Sequence, residues 1–556
     1  MKRFLIILII IASQHIITAQ QTGSWGDQGD GTYKNPILQT NYPDNDVIRM
    51  RDTFYMMSST NHFVPGMVIL KSTDLVNWEF SNHIMNAPVD YDENFSITQK
   101  RKLTSRGNWA GSFGYNGEEY FAYWCYNKRN IKPGGTHIIV YSKAKTMEGP
   151  WSIPKEITWA DGSHINTTDP GVFWDLETKK AWIGLWTHGE VRIYPMTWDG
   201  TEILENKGEG ILVTNTYQGE AVKIFKYENM YYVSNVYVEK DTEGNRLRMG
   251  AIQRSKNIEG PWEGRLNLEN GNGTNRNPAQ GTYINLENGT SWFLHQLSTG
   301  TPQERYMGRP QFLEPVIWKD GWPNIGIDTD GNGIGEVIWQ HKKPIQENSI
   351  NAPASDDNFD GAILGMQWNW RFNPDMSKWS LTERPGFLRL KSSVPSSSKN
   401  NSLDELPNII GQRLMGKYDN VMTTKIDLFG MADGQEIGFH ISSQLNNAIA
   451  LKKDKSGRLQ LLFRSGKNDA PTIQKGKLLD TKEIWFQAKV TDGLATFFYS
   501  LDGKKFKPFG KEVRLLFTGF TPCMVGFYCL NSEPKGFIDI DWFKYDYDGP
   551  KGAIKD

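Results

Sequence analysis

Five aromatic-rich hairpins recurring along the N-terminal part of the chain constrain its fold more than any other feature. Each carries an aromatic on its second strand: Tyr55, then Tyr120 in F-G-Y-N-G-E-E-Y-F-A-Y-W, Trp182 in V-F-W-D-L-E-T-K-K-A-W-I-G, Tyr232 in K-I-F-K-Y-E-N-M-Y-Y-V and Trp292 in Y-I-N-L-E-N-G-T-S-W-F-L. Their spacing, roughly 50 to 65 residues, is that of one four-stranded blade plus its loops. Five anchors predict a five-bladed β-propeller. A second repeat agrees: Ser72-Thr73-Asp74-Leu75-Val76-Asn77-Trp78, Ser142-Lys143-Ala144 ending Gly149-Pro150-Trp151, and Ser255-Lys256-Asn257-Ile258 ending Gly260-Pro261-Trp262. These segments read as outer-strand closures of blades one, two and four.

Repetition also makes positions equivalent. About 11 to 13 residues upstream of each anchor, where an inner strand begins, stand Asp44, Trp109, Asp169, Glu220 and Gln280 in chain order. Strand alternation aims equivalent positions into the same end of the central funnel. Asp44 shows the pattern: it lies in the turn Pro43-Asp44-Asn45-Asp46, ahead of an alternating strand at Val47-Ile48, a turn at Arg51-Asp52 and the strand Phe54 to Ser58. Three of the five equivalents are acids. Converging them in a cleft raises the pKa of at least one by like-charge repulsion and desolvation, an arrangement that costs stability and marks chemistry.

A length of 556 residues exceeds one hydrophobic core and implies at least two domains. The propeller is expected over 35–343, after a loose segment from Gln20 to Lys34, with a polar linker at 344–357. Beyond the linker the strands become shorter and alternate, as in Phe387-Leu388-Arg389-Leu390, Ile437-Gly438-Phe439-His440-Ile441 and Trp485-Phe486-Gln487-Ala488-Lys489-Val490. That texture predicts a β-sandwich over 358–548, so the protein is read as all-β. The 62 Lys and Arg balance the 63 Asp and Glu, which removes the electrostatic case for nucleic acid or an anionic membrane. Oligomeric state is not legible.

Met1 to Ala19 reads as a secretory signal peptide: Lys2-Arg3, an apolar run from Phe4 to Ala12, and Ile17-Thr18-Ala19 as a cleavage site. The mature chain is expected in a periplasm or outside the cell, and no later stretch is long enough for a transmembrane helix. Cys125, Cys523 and Cys529 form no disulfide framework and read as buried thiols. Asp328-Thr329-Asp330-Gly331-Asn332-Gly333 imitates half of an EF-hand loop, but the twelfth position is Trp339, so it reads as a turn.

Several segments together resemble glycoside hydrolase family 43, in particular the β-xylosidase and α-L-arabinofuranosidase type with a C-terminal concanavalin A-like sandwich. They are Asn35-Pro36-Ile37-Leu38, Tyr42-Pro43-Asp44, Ser58-Ser59-Thr60, Phe63-Val64-Pro65-Gly66, Asp169-Pro170-Gly171-Val172-Phe173, Phe359-Asp360-Gly361, Leu364-Gly365-Met366-Gln367-Trp368, and Trp379 to Leu390. The resemblance implies an inverting mechanism, with Asp44 as general base, Asp169 orienting the acid and adjusting its pKa, and Glu220 as general acid. It also implies an arginine on substrate at Arg309.

Inversion calls for one protonated carboxyl at the leaving oxygen and one carboxylate holding a water opposite. Asp169 would keep Glu220 protonated, and Asp44 is expected beside hydrogen-bond donors and a cation. Asp46 and Glu190 are the alternative base and acid. Trp109, His62, His188 and Gln280 are candidate pocket-lining residues. Three positions depart from the family's pattern: Trp109-Ala110-Gly111 where W-A-P is common, Glu220-Ala221 for E-G, and Ala279-Gln280-Gly281 for H-Q-G. The missing histidine argues against a central calcium, and no metal or cofactor is expected. The expected activity is removal of terminal pentoses, arabinofuranose or xylose, from plant cell-wall polysaccharide. A catalytically inactive sugar-binding propeller and a retaining, fructan-acting propeller enzyme are the alternatives.

Overall fold

The structure, a computed structural model, describes residues 25–547 apart from 88–95, 97–105, 128–136, 188, 241, 243, 245, 270–276, 298–304, 348–350, 396–402, 404–405, 417–418, 444–445, 467–470 and 518–519. Met1 to Ala19, read above as a signal peptide, and His188 therefore lie outside the described residues. Each of the five blades is built from four consecutive antiparallel strands, and the sheet of blade four gains a short fifth strand, Gly335–Glu336, paired in parallel with Glu263–Glu269. Their inner strands are Asp46–Met50, Gly107–Tyr115, Gly171–Asp175, Lys223–Tyr227 and Pro278–Asn285. Each aromatic anchor lies on the second strand of its blade, where Tyr55 faces Ile48, Tyr120 faces Tyr115, Trp182 faces Phe173, Tyr232 faces Phe225 and Trp292 faces Ile284 across the ladder. The repeat is visible in sequence because these rings fill the space between neighbouring blades, as where Trp182 packs in a cluster with Val222 and Ile224 of the next one.

Because every blade is contiguous in sequence, the ring must be closed sideways. Thr32–Lys34 pairs with Gln340–Lys342, so the stretch expected as loose forms a strand instead. Ile37 N donates to Gln311 O at 2.9 Å, and the Asn35 amide donates to and accepts from the Leu313 backbone, both at 2.9 Å. Blade five is thereby clipped to the start of blade one. Lys343, buried, adds a second tie through ion pairs to Asp27 at 2.6 Å and Asp74 at 2.8 Å.

Side chains also cross the propeller axis. Asp46 of blade one accepts from Phe113 N of blade two at 2.5 Å and from Thr282 Oγ1 of blade five at 2.6 Å. Lys223 of blade four donates to Gly111 O of blade two and lies 3.2 Å from Asp46 Oδ1. Gly111 is needed at that crossing: a Cβ there would lie 2.1 Å from the Tyr123 carbonyl oxygen, at a bulge of the inner strand.

The second domain is a sandwich of a seven-stranded and an eight-stranded sheet. Its alternating strands turn Ile437, Phe439, Phe486, Ala488 and Val490 into one buried core, which continues into Tyr42, Val64 and Val68 of the propeller. The domain junction is hydrogen-bonded as well as apolar. Val64 and Trp370 exchange backbone bonds of 2.9 and 2.7 Å, and Gly416 N donates to Gln39 O at 3.1 Å. The Arg413 guanidinium stacks 4.9 Å from the Tyr42 ring. Cys125, Cys523 and Cys529 are all free and buried.

Candidate active site

Asp44, Asp169 and Glu220 line one cavity at the mouth of the propeller. Trp109, Ala110, Gln280 and Arg309 share its wall. The backbone explains why equivalent positions converge. Asp44, Asp169 and Gln280 all adopt left-handed φ, at 59°, 56° and 47°, just before or within an inner strand, which turns the chain abruptly into the funnel. In blade four the left-handed residue is Ala221, at 64°, one after Glu220. Glycine would adopt this φ without cost.

Each acid has its own environment. Asp44 is buried and accepts from Arg309 Nη1 at 2.6 Å and Gln296 Nε2 at 3.0 Å, while its backbone N donates to Gln296 Oε1 at 2.8 Å. Arg309 is the cation beside it, itself fixed where its backbone N donates to Asn41 Oδ1. Asp169, also buried, accepts from Gln280 Nε2 at 2.7 Å. Burial pushes its carboxyl well above the usual aspartate range, and the charges of Glu220 and Asp44 push it further. The Glu220 carboxylate is more open and forms an ion pair of 2.8 Å with Arg248 Nη1. Its backbone carbonyl accepts from Val236 N. Glu220, expected to carry the proton, is thus found beside a cation.

Other candidates lie elsewhere. Asp46 is consumed by the axis contacts described above. Glu190 pairs with Arg192 at 2.7 Å and does not line the cavity. His62, expected in the pocket, is not among its lining residues: it is buried against Phe63 and, 5.0 Å away, Phe372 of the sandwich, where burial pushes its pKa well down. Its neighbour Asn61 takes the lining position. Asn61 adopts a left-handed φ of 51° and His62 lies in the turn that follows.

Sequence reasoning missed Arg248, Gln296, Thr168 and Phe520, all on the cavity wall. Phe520 comes from the sandwich. Its ring lies 5.4 Å from the Arg309 guanidinium and 6.4 Å from the Trp109 ring, so the second domain completes the pocket. Two buried donors on this wall, Trp109 Nε1 and Arg309 Nε, have no partner among the described residues. Buried polar groups are rarely left so.

A central calcium does not fit this donor set. Position 279 is alanine, and the axis carboxylate Asp46 already holds Lys223, Thr282 and the Phe113 amide. Among the described residues, one grouping of three acids comes close enough to share an ion, Glu269, Asp330 and Glu336. It belongs to the loop at Asp328, whose carboxylate accepts from Gly331 N and Gly333 N as a turn.

A five-bladed propeller whose funnel mouth gathers three carboxyls, two arginines and orphaned donors defines a carbohydrate-processing class of enzyme. Residues 33–323 match the glycosyl hydrolases family 43, and residues 356–546 match the β-xylosidase C-terminal concanavalin A-like domain. The chain belongs to glycosyl hydrolase family 43 and is a glycosidase hydrolysing O-glycosyl bonds. It is 36% identical to a β-xylosidase of Formosa agariphila, over 97% of this chain and 94% of the relative. It is 26% identical to a non-reducing end α-L-arabinofuranosidase of Bacteroides ovatus, over 98% of both. Among solved structures, the GH43 protein BlXynB from Bacillus licheniformis shares the fold with a TM-score of 0.77 at 24% identity, covering 92% of this chain and 99% of that one. No helix among the described residues is long and apolar enough to cross a membrane.

Proposed function

We propose that the protein is an exported, exo-acting, inverting glycosidase that removes terminal pentoses from plant cell-wall polysaccharide or its oligosaccharides, with β-D-xylosyl residues as the first substrate class. The observation that carries this reading is the convergence of Asp44, Asp169 and Glu220 on one cavity. Asp44 is the general base: Arg309 and Gln296 donate to its carboxylate and hold it in place on the cavity wall. Glu220 is the general acid at the leaving oxygen. Asp169, fixed by Gln280, orients it.

The sugar in the pocket meets Trp109, Arg309 and Phe520, which line its wall. A wall contributed by the sandwich favours a chain end over an internal stretch of polymer. Xylose is placed first because relatives 36% and 31% identical are named β-xylosidase and putative β-xylosidase. The arabinofuranosidase relative, matching along the whole chain, makes α-L-arabinofuranose the second. Export rests on Lys2-Arg3, the apolar run from Phe4 to Ala12 and the site ending at Ala19.

Hydrolysis of nitrophenyl β-D-xyloside and α-L-arabinofuranoside, with the first-formed anomer followed by proton NMR, tests the proposal. Inversion on one of the two substrates is expected. A retained anomer would transfer the chain to the retaining alternative, and binding of xylo-oligosaccharide without product would transfer it to the inactive one.

A further inference from the structure

The acid side of the cavity poses a problem of charge. Given the role proposed for Glu220, its carboxyl must deliver a proton, yet its Oε1 lies 2.8 Å from Arg248 Nη1. An arginine in contact favours the ionised carboxylate. For Asp44 the same kind of contact suits a base, but an acid held this way has no proton to give until the pair opens.

Arg248 is placed to let go. It stands on the second hairpin of blade four, whose strands Met230–Lys240 and Arg246–Ser255 extend well past their neighbours, and it faces Val238 across the ladder. Its backbone is fixed where N donates to Asn277 Oδ1 at 2.9 Å, while its guanidinium, among the described residues, makes one ion pair. The side chain is 20% exposed, against 9% for Arg309, and the Glu220 side chain is 27% exposed, against 8% for Asp44. A half-open pair in contact with solvent and with the cavity separates at far lower cost than a buried one.

The other charged groups around Glu220 leave Arg248 as the element able to switch. Asp169, from the segment leading into blade three, is buried and tied to Gln280. Lys223, three residues on in blade four, is turned to Gly111 O and Asp46. Asp44 and Arg309, across the cavity, hold each other. The Cys125 thiol behind Asp169 is pushed well up by burial and by that neighbour, and stays neutral.

We propose that Arg248 is a positioning residue: it keeps Glu220 ionised in the resting enzyme and releases it when the leaving-group sugar occupies the mouth of the cavity. On release the Glu220 carboxylate takes a proton from solvent. It passes that proton to the glycosidic oxygen as the bond to the anomeric carbon breaks, while water adds to that carbon and gives its own proton to Asp44. Glu220 ends as a carboxylate and re-pairs with Arg248, and Asp44 returns its proton to solvent.

The test compares wild type, Arg248→Met, Arg248→Gln and Arg248→Lys on xylobiose across pH. In the two neutral variants the alkaline limb of kcat/KM, which reports the free enzyme, should move up by about one pH unit, with Lys close to wild type. The limb of kcat should move less, because in the substrate complex the pair is already open. An unmoved kcat/KM limb in folded Arg248→Met and Arg248→Gln, or equal shifts of both limbs, overturns the proposal. Glu220→Gln separates the two levels of argument. If it retains full activity on xylobiose, the assignment of the acid fails and this inference with it. If it is inactive while the Arg248 variants keep the wild-type limbs, the inference alone fails.

Discussion

The two walls of the cavity carry the same chemical pair, a carboxylate with an arginine, and differ in how it is held. On the blade-one wall, Asp44 has Arg309 at 2.6 Å and two hydrogen bonds with Gln296, and the segment before it is gripped by the sandwich through Gln39 and Tyr42. On the blade-four wall, Glu220 has one ion pair on a solvent-lapped hairpin. A base that must stay ionised gains from being locked. An acid that alternates between two protonation states gains from a partner that can leave. Burial and the number of contacts, more than residue type, separate the two roles.

The largest expected effect is on turnover. Asp44→Asn and Glu220→Gln should each lower kcat on xylobiose by at least about 10². On a nitrophenyl xyloside, whose leaving group departs without help, Glu220→Gln should recover much of that loss and Asp44→Asn none. Steady-state kinetics on both substrates would check this. Equal losses on both would erase the distinction between the walls.

Next comes stability. Arg309→Met strands a buried carboxylate and should cost about 3 kcal/mol, as removal of one partner of a buried pair does. Arg248→Met should cost about 1 kcal/mol or less, because its pair is partly hydrated. Denaturant melts of the two variants measure the difference directly. Similar costs would show that the acid side is as rigid as the base side.

Between the walls, Asp169 predicts a pH dependence. Its folded pKa lies well above the unfolded one, raised first by burial and then by the charges of Glu220 and Asp44. The native state thus binds a proton that the unfolded chain releases above about pH 4, so this group's contribution is full below that point and is lost as pH rises through the folded value. Asp169→Asn keeps an acceptor for Gln280 and removes the titration. It should be the more stable protein at pH 7, by on the order of 1 kcal/mol, and the less active one. Thermal melts at pH 4 and pH 7 would show the gain only at the higher pH.

What could be read from sequence follows the same division between fixed and adjustable parts. The propeller was legible because Tyr55, Tyr120, Trp182, Tyr232 and Trp292 fill repeated inter-blade positions, and the sandwich because its strands alternate. Asp44, Asp169 and Glu220 were legible because each stands at the start of an inner strand. Arg248 was not: in Arg246-Leu247-Arg248-Met249 it reads as the polar face of an ordinary hairpin, and only an overlong pair of strands hinted that this hairpin reaches the cavity. Gln296 carried a signal that could have been used, a long polar side chain beside His295 in the run Ser291–Leu297, every position of which is buried. Phe520 lies in the second domain, in a segment without strand alternation, and local pattern carries no information about a contact across domains. His62 was misplaced because residue type suggested a pocket, while the left-handed turn at Asn61 that decides which side chain enters it leaves no mark in local pattern.

The smallest expected effect sharpens the comparison at the backbone. Ala221 holds a left-handed φ of 64° directly after Glu220, a conformation that costs an L-residue with a Cβ about 1 kcal/mol. Glycine removes that cost but gives the unfolded chain more freedom, which returns roughly half of the gain. Ala221→Gly should therefore raise stability by about 0.5 kcal/mol, visible as a small rise in melting temperature. Because the Glu220 carbonyl stays anchored to Val236 N, the mobility that matters on this wall is that of side chains, and the substitution should leave the alkaline limb of kcat/KM where it was. A limb displaced by Ala221→Gly would mean that the backbone turn, as well as Arg248, governs when the acid is free.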